Sequence, residues 1–229
     1  MSVFNASRLQ NKTVLITGAS GGIGEATAIL FAKAGSNIIL AARRTEVLAK
    51  VKAACESAHK NSGAQTGGKF AAIKLDVSDK NAVANLWKDI PQELRDVDIL
   101  DFKERKKGHF INIGSVAGRE PYVGGSIYCA TKHAVSAFTG SLMRELVDTP
   151  IRVTEIQPGM VETDFSVTRF RGDKAAADKV YTGLQPLVAE DIAEEIVWAA
   201  ARPPHVNLAQ VYVLPVNQAS ATLNYRSTQ

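Results

Sequence analysis

The sequence has little of what marks a secreted, metal-binding or membrane protein. It contains only two cysteines, Cys55 and Cys129, which form no CxxC motif and suggest no disulfide framework. Its four histidines are far apart and have no metal-ligand spacing. There is no signal peptide, and no apolar run approaches the ~20 residues that span a bilayer. We therefore expect a cytoplasmic protein with reduced thiols, no metal ion and no membrane segment.

The sequence also has no long segment of basic or of acidic residues. The formal net charge is +4, and the basic residues are mostly scattered, with one run at 103–107. No aromatic residues interleave with that run, as a stacking platform for bases would require. A solvated helix end is therefore favoured over a nucleic-acid patch, and no nucleic-acid partner is expected.

What the sequence does have is a regular alternation of apolar strands and helices. Its 229 residues are 45% hydrophobic, enough for one sizeable core, so residues 1–229 are assigned to a single domain. The pattern predicts an α/β fold with a doubly wound parallel sheet of about seven strands and helices on both faces. The predicted strands are 13–17, 37–41, 70–75, 97–100, 109–113, 152–157 and 210–214, and the predicted helices are 22–34, 45–56, 78–88, 126–147 and 190–201.

A glycine-rich turn joins the first strand to the first helix. The turn reads Thr17-Gly-Ala-Ser-Gly-Gly-Ile-Gly24, with the spacing G-x-x-x-G-x-G. Its glycines let backbone N–H groups approach a pyrophosphate, and the helix N-terminus adds partial positive charge. An ordinary tight turn is the alternative, but the position favours a Rossmann-type dinucleotide site. The residues predicted to contact the cofactor here are Gly18, Ser20, Gly22, Ile23 and Gly24.

Two arginines follow the second predicted strand, where NAD-binding proteins usually carry an acidic residue. A carboxylate at this position holds the ribose 2′-hydroxyl and would repel a 2′-phosphate, whereas an arginine can bind that phosphate. Arg43 and Arg44 therefore predict NADP as the cofactor. A solvated helix start is the alternative interpretation.

A serine, a tyrosine and a lysine are placed where hydride-transfer chemistry needs them. Tyr128 and Lys132 are four residues apart near the start of the long helix, so they share one face. Ser115 follows the fifth predicted strand, at the sheet edge where open α/β sheets gather their chemistry. A tyrosine hydroxyl can act as general acid or base at the substrate oxygen, and nearby cations favour its phenolate. Ser115 would hold the substrate oxygen by a hydrogen bond.

Together these motifs resemble the short-chain dehydrogenase/reductase family. The resemblance runs from about Lys12 to Gln218 and also includes Asp76-Val77 and Pro158-Gly159. It implies that Tyr128 and Lys132 also contact the cofactor, Lys132 at the nicotinamide ribose. It further implies adenine contacts at Asp76 and Val77, and contacts to the nicotinamide amide and phosphates from Pro158, Gly159, Val161 and Thr163.

A narrower resemblance concerns the substrate. The segments SIYCATK at 126–132, QPGMVETDFSVTRFRGD at 157–173 and LPVNQAS at 214–220 resemble the NADP-dependent 3-hydroxy acid dehydrogenases, which include serine and allothreonine dehydrogenases. This resemblance implies a homotetramer acting on a small carboxylate-bearing substrate. Arg119, Arg169 and Arg171 are candidate carboxylate ligands, with surface or interface ion pairs as the alternative.

The chain departs from the family pattern after its fourth predicted strand. Family members continue there with Asn-Asn-Ala-Gly and a long helix that carries a catalytic asparagine, whereas here eight residues, 101–108, lead to the next strand. Parallel neighbours need a crossover of about a dozen residues or more. Either the segment near 100/101 is truly deleted, or the 229 residues omit a segment that the protein contains. We favour omission, and expect a spatial gap at Leu100 and Asp101.

Three functions remain to be compared. An NADP-dependent oxidoreductase with Tyr128 as general acid/base is favoured by the complete set of Ser115, Tyr128 and Lys132. The alternative is an NADP(H)-binding protein without turnover, which only the missing asparagine and pocket wall favour. A nucleotide-sugar epimerase is disfavoured because the chain has no residues for a C-terminal substrate domain.

Overall fold

The computed structural model describes residues 5–98 and 107–227. The first range contains β1 (Thr13–Thr17), α1 (Gly22–Lys33), β2 (Asn37–Ala42), α2 (Thr45–Ser62), β3 (Phe70–Lys74) and α3 (Lys80–Asp89). The second contains β4 (Gly108–Ile113), α4 (Ser126–Glu145), β5 (Ile151–Pro158), α5 (Asp164–Arg169), α6 (Lys174–Lys179), α7 (Ala189–Ala200) and β6 (Gln210–Val213). Short 3₁₀ turns lie at Ala6–Leu9, Gln92–Leu94 and Val116–Gly118.

The strands form two parallel three-stranded sheets, in the orders β1-β2-β3 and β4-β5-β6. Asp98 links them: its N–H donates to Thr13 O at 2.9 Å, and its carbonyl accepts from His109 N at 3.1 Å. The parallel α/β architecture is confirmed, but the described residues hold six strands where about seven were predicted. The difference is the predicted strand 97–100, of which residues 99 and 100 lie outside the described residues. So do the expected gap at Leu100 and Asp101 and all of the basic run except Lys107.

Helices cover both faces of the sheets, as predicted. The alternation of side chains along β2 shows it: Ile38 and Leu40 pack into one buried cluster with α1, α2 and α7, whereas Ile39 packs into another with Leu86 of α3. A third cluster joins β4 and β5 to the end of α4. Strands buried on both faces have no polar side to present, which is why β2 is apolar from Ile38 to Ala42.

Several boundaries differ from the predicted ones for local reasons. The second helix was predicted to end at residue 56, but α2 continues to Ser62 and ends at Gly63, which adopts a left-handed conformation. Thr45 is the first helical residue of α2, and Arg44 occupies the cap position without a side-chain hydrogen bond. Helices α5 and α6 were not predicted because each has only six residues.

The part of the chain described by the structure contains no helix long and apolar enough to cross a membrane. Within the same ranges, no three histidine, cysteine or acidic side chains are grouped so that they could hold a metal ion.

Candidate active site

The glycine turn after β1 is closed so tightly that one position excludes any side chain. A β-carbon at Gly24 would lie 2.5 Å from the carbonyl oxygen of Gly18, which is main chain and cannot move aside cheaply. Gly18 and Gly22 have φ angles of +67° and +54°, which favour glycine. The space above the N-terminus of α1 is therefore lined by the backbone of this turn and not by side chains.

The two arginines after β2 have different environments. Arg44 reaches the glycine turn: its Nη2 donates to Ser20 O at 2.6 Å and to Ser20 Oγ at 3.2 Å. Arg43 instead faces Asp76 after β3. Two hydrogen bonds from Ser78 hold the pKa of the Asp76 carboxyl below its usual range, and the positive charge of Arg43 acts in the same direction. The structure thus brings Arg44 and Ser20 together, and leaves Arg43 at the edge with Asp76.

The predicted adenine contacts lie at that same edge. Val77 is 66% exposed, so its side chain is accessible to a ligand at this edge. The side chain of Ile23 is partly buried and packs against the core cluster below the glycine turn.

The segment after β5 forms the other wall. Gly159 donates to Val213 O at 2.8 Å, and its α-carbon is packed so closely against Gln218 and Leu214 that a β-carbon would collide with both. Val161 bridges to Leu187. Thr163 caps α5 and lies over the glycine turn, since a β-carbon on Gly22 would be 3.5 Å from Thr163 Cβ. Pro158, the last residue of β5, leads into this wall.

Ser115, Tyr128 and Lys132 are gathered at the carboxyl end of β4. Lys132 Nζ donates to Ile113 O at 2.9 Å, which ties the tyrosine-bearing turn of α4 to the strand end just before Ser115. The ammonium also lies 5.7 Å from the centroid of the Tyr128 ring. Ser115 Oγ accepts from Ala117 N at 3.1 Å, so its own proton remains available for another acceptor. Burial lowers the pKa of the Lys132 ammonium, and the negative charge of Glu155 opposes that effect.

The three candidate carboxylate ligands are not equivalent. Arg119 donates to Gln157 Oε1 at 2.8 Å and stacks over the ring of Tyr212, so its guanidinium is engaged with the fold. The Arg169 guanidinium lies at the exposed end of α5, 5.7 Å from the centroid of the Tyr122 ring. Arg171 is exposed and has a φ of +54°.

Four residues of the site were not predicted from the sequence. The Phe165 ring lies 5.7 Å from that of Tyr128, and Gln218 Oε1 accepts from Met160 N at 2.9 Å. Both belong to segments that carry the narrower resemblance, which could have indicated them. Tyr122 and Glu155 had no such signal, because their relation to the site exists only in three dimensions.

The comparisons with known proteins identify the family. A family model described as short chain dehydrogenase matches residues 12–102 and 100–174, and the chain belongs to that family. The break between the two matched segments falls at the eight-residue link that departs from the family pattern.

The relatives within that family are similar along nearly their whole length. An NADP-dependent 3-hydroxy acid dehydrogenase of Schizosaccharomyces pombe is 39% identical over 262 aligned residues, covering 96% of this chain and 98% of the relative. A serine 3-dehydrogenase of Agrobacterium fabrum is 32% identical, covering 91% of this chain and 96% of its own. Among solved structures, a closed form of serine dehydrogenase complexed with NADP+ has a TM-score of 0.81 at 31% identity, covering 94% of this chain and 100% of that one.

Proposed function

We propose that the chain is an oxidoreductase that transfers a hydride between NADP and a small 3-hydroxy acid or related alcohol. The observation that carries this proposal is the bond from Lys132 to the carbonyl of Ile113, which holds the Tyr128 turn of α4 above the strand end that leads to Ser115. The relatives named for NADP and 3-hydroxy acids support the cofactor and the substrate class.

The residues present fit NADP. The closed glycine turn leaves backbone N–H groups for the pyrophosphate, because a side chain at Gly24 is excluded. Arg44 lies against Ser20, so its guanidinium and the serine hydroxyl form a donor pair suited to a 2′-phosphate. When bound, the nicotinamide would supply the hydride acceptor or donor. Thr163 and the segment from Pro158 to Val161 would line the opposite side.

The proton chemistry is assigned to Tyr128. Its hydroxyl would take the proton of the substrate alcohol during oxidation and return it during reduction. The ammonium of Lys132 lies 5.7 Å from the centroid of the Tyr128 ring, so a positive charge stands next to the proposed proton carrier. Ser115, with its Oγ already accepting from Ala117 N, would donate its proton to the substrate oxygen and hold it beside Tyr128.

Arg169 is the proposed ligand of the substrate carboxylate. It lies on α5, whose Phe165 ring packs beside that of Tyr128, so both residues border the same space. Arg119 is unsuitable because Gln157 and Tyr212 occupy its guanidinium. Arg169→Gln should therefore raise KM for 3-hydroxyisobutyrate at least about tenfold, the loss of one charge-assisted contact. Comparable rates with uncharged alcohols of the same size would argue against carboxylate recognition.

A cytoplasmic homotetramer is the assembly and location we propose from the family resemblance. Self-association is supported by the exposed apolar side chains of α4, where Ile127 is 78% and Phe138 60% exposed. Light scattering of the purified protein would measure the assembly. A monodisperse monomer would contradict it.

The decisive experiment compares the unchanged chain with Tyr128→Phe on a panel of 3-hydroxy acids with NADP+. The phenylalanine keeps the ring and removes only the proton carrier. We expect kcat to fall by at least about 10²-fold with cofactor affinity almost unchanged, in the range of general acid–base catalysis. A variant with half the activity would refute the role of Tyr128. Cofactor binding without turnover in the unchanged chain would favour the NADP(H)-binding alternative.

A further inference from the structure

A buried glutamate lies beneath the candidate site and has no role in the chemistry proposed above. Glu155 is in the middle of β5 and is 0% exposed. Its Oε1 accepts a hydrogen bond from Ser136 Oγ at 2.6 Å, while Oε2 has no hydrogen-bond partner among the described residues. A fully buried carboxylate with one neutral donor is costly unless a cation compensates its charge.

The contacts of Glu155 place its carboxylate next to the strand end that holds Lys132. A β-carbon on Gly114, the residue before Ser115, would collide with Glu155 Oε1. The preceding residue, Ile113, supplies the carbonyl that accepts from Lys132 Nζ at 2.9 Å. Ser136, the donor to Glu155, is one helical turn beyond Lys132 on α4. The ammonium from α4 therefore contacts Ile113, the last residue of β4, and the carboxylate from β5 contacts the next residue, Gly114.

The ring of Tyr128 also faces Lys132, with its centroid 5.7 Å from the ammonium, and the other nearby charged or titratable side chains have partners of their own. The negative charge of Glu155 acts on Lys132, opposing the burial that lowers the pKa of the ammonium. These partners are Gln157 for Arg119, Ala221 N for Glu120, Cys129 O for His133 and the Tyr122 ring for Arg169.

We propose that Glu155 is the buried counter-charge of Lys132, and so a positioning residue for the reaction assigned to Tyr128. It would hold Lys132 as an ammonium in a site that otherwise disfavours charge, and it would fix the turn before Ser115 by filling the space beside Gly114. The proposal rests on the proposed function only for the part of its test that measures turnover.

The first test is the pH profile of kcat/KM for oxidation of 3-hydroxyisobutyrate by NADP+, measured on the full chain. Glu155→Gln keeps the shape and the acceptor for Ser136 but removes the charge. Loss of a negative charge favours the deprotonated form of each neighbouring acid, so both limbs of the profile should move to lower pH by about half a unit or more. Glu155→Asp, which keeps the charge, and Ser136→Ala, which removes only the hydrogen bond, should leave both limbs in place.

A stability cycle tests the same pairing without turnover. Lys132→Met leaves the carboxylate buried without its cation and should lower Tm. Adding Glu155→Gln to that variant should raise Tm again, because the uncompensated charge has gone. Should Glu155→Gln alone not fold, the double variant still decides the matter, since it contains neither charge and should fold.

Two results would overturn the inference. One is a uniform fall of kcat/KM in Glu155→Gln with no movement of either limb, which would mean a structural role only. The other is a double variant whose loss of Tm equals the sum of the two single losses. An active Tyr128→Phe protein would instead refute the proposed function, and the stability cycle would keep its meaning.

Discussion

At the scale of single residues, the adjacent arginines after β2 differ in what their side chains touch. Arg44 donates to Ser20 on the glycine turn, whereas Arg43 lies near Asp76. Arg44→Ala should therefore raise KM for NADP at least about tenfold and change KM for NAD little, since a charge-assisted bond is worth about 1.5–3 kcal/mol. Arg43→Ala is the matched control and should have the smaller effect. Equal kcat/KM for NADP and NAD in the unchanged protein would contradict the assignment.

A second residue, His109, should make the fold sensitive to acid. It is 2% exposed, its Nε2 lies 2.7 Å from Thr154 Oγ1, and burial followed by the charge of Arg152 lowers its pKa from 6.5 to about 3. Between these values the unfolded chain binds a proton that the folded chain does not. The free energy of unfolding should therefore fall with decreasing pH by up to about 1.4 kcal/mol per pH unit from this group.

The check is the stability of His109→Gln, which can keep the hydrogen bond to Thr154 but does not titrate. Denaturant unfolding should show that the unchanged protein loses free energy of unfolding relative to His109→Gln as pH falls below about 6.5. Parallel stability curves for the two proteins across this window would show that His109 is not buried as a neutral ring.

At the scale of elements, two helical glycines should respond oppositely to alanine. Gly24→Ala forces a β-carbon against the Gly18 carbonyl, which should push α1 away from the glycine turn that precedes it. Both NADP affinity and the stability of the fold should therefore decrease. Gly140→Ala on α4 meets only the flexible end of Arg144 at 3.3 Å and should stabilise the helix by up to about 1 kcal/mol. Thermal unfolding and NADPH titration measure both effects. Equal behaviour of the two variants would contradict the close packing of the turn.

The elements that could be predicted from the sequence are those with a strong periodic or apolar signal. The runs of β1 and β2 and the long helix α4 were placed to within a few residues because burial on both faces, or on one stripe, fixes their composition. The end of α2 was misplaced because its last turns are polar yet helix-compatible. Six-residue helices carry too little periodicity to be recognised.

The residues of the site also separate into those that could be predicted from the sequence and those that could not. Ser115, Tyr128 and Lys132 could be proposed because a strand end and a helical spacing place them, and Arg44 because it is the second residue after β2. Glu155 could not be proposed, because a glutamate in an apolar strand does not show which cation compensates its negative charge. That information arises only when α4 packs on β5, which brings together residues far apart in the chain.

At the scale of the whole molecule, Asp98 joins the two sheets. Asp98 is hydrogen-bonded to both β1 and β4, and Lys12 and Lys107 pair with its carboxylate at 3.0 and 4.0 Å. The relative from Schizosaccharomyces pombe aligns over 262 residues, more than the 229 of this chain, so it contains residues with no counterpart here. The assignment of residues 1–229 to a single domain stays a prediction.

The last prediction is that the protein made in its own cell is longer than 229 residues. Two parallel strands cannot be neighbours through the short link after Asp98, because a crossover needs about a dozen residues or more. The inserted part should contain the rest of a strand, a pocket-wall loop and a helix, roughly 40 residues in all. Intact-mass measurement of the protein purified from its source should therefore give a value above 24.6 kDa.

The control is the protein expressed from the 229-residue sequence, whose mass must equal 24.6 kDa. If the native protein has that same mass, the deletion is real, and the chain would lack the wall that encloses the cofactor in its family. Efficient turnover would then not be expected, because an open site admits water and positions the substrate poorly. If the native protein is longer, it should turn over 3-hydroxy acids faster than the 229-residue chain, with the same dependence on Tyr128 and Lys132.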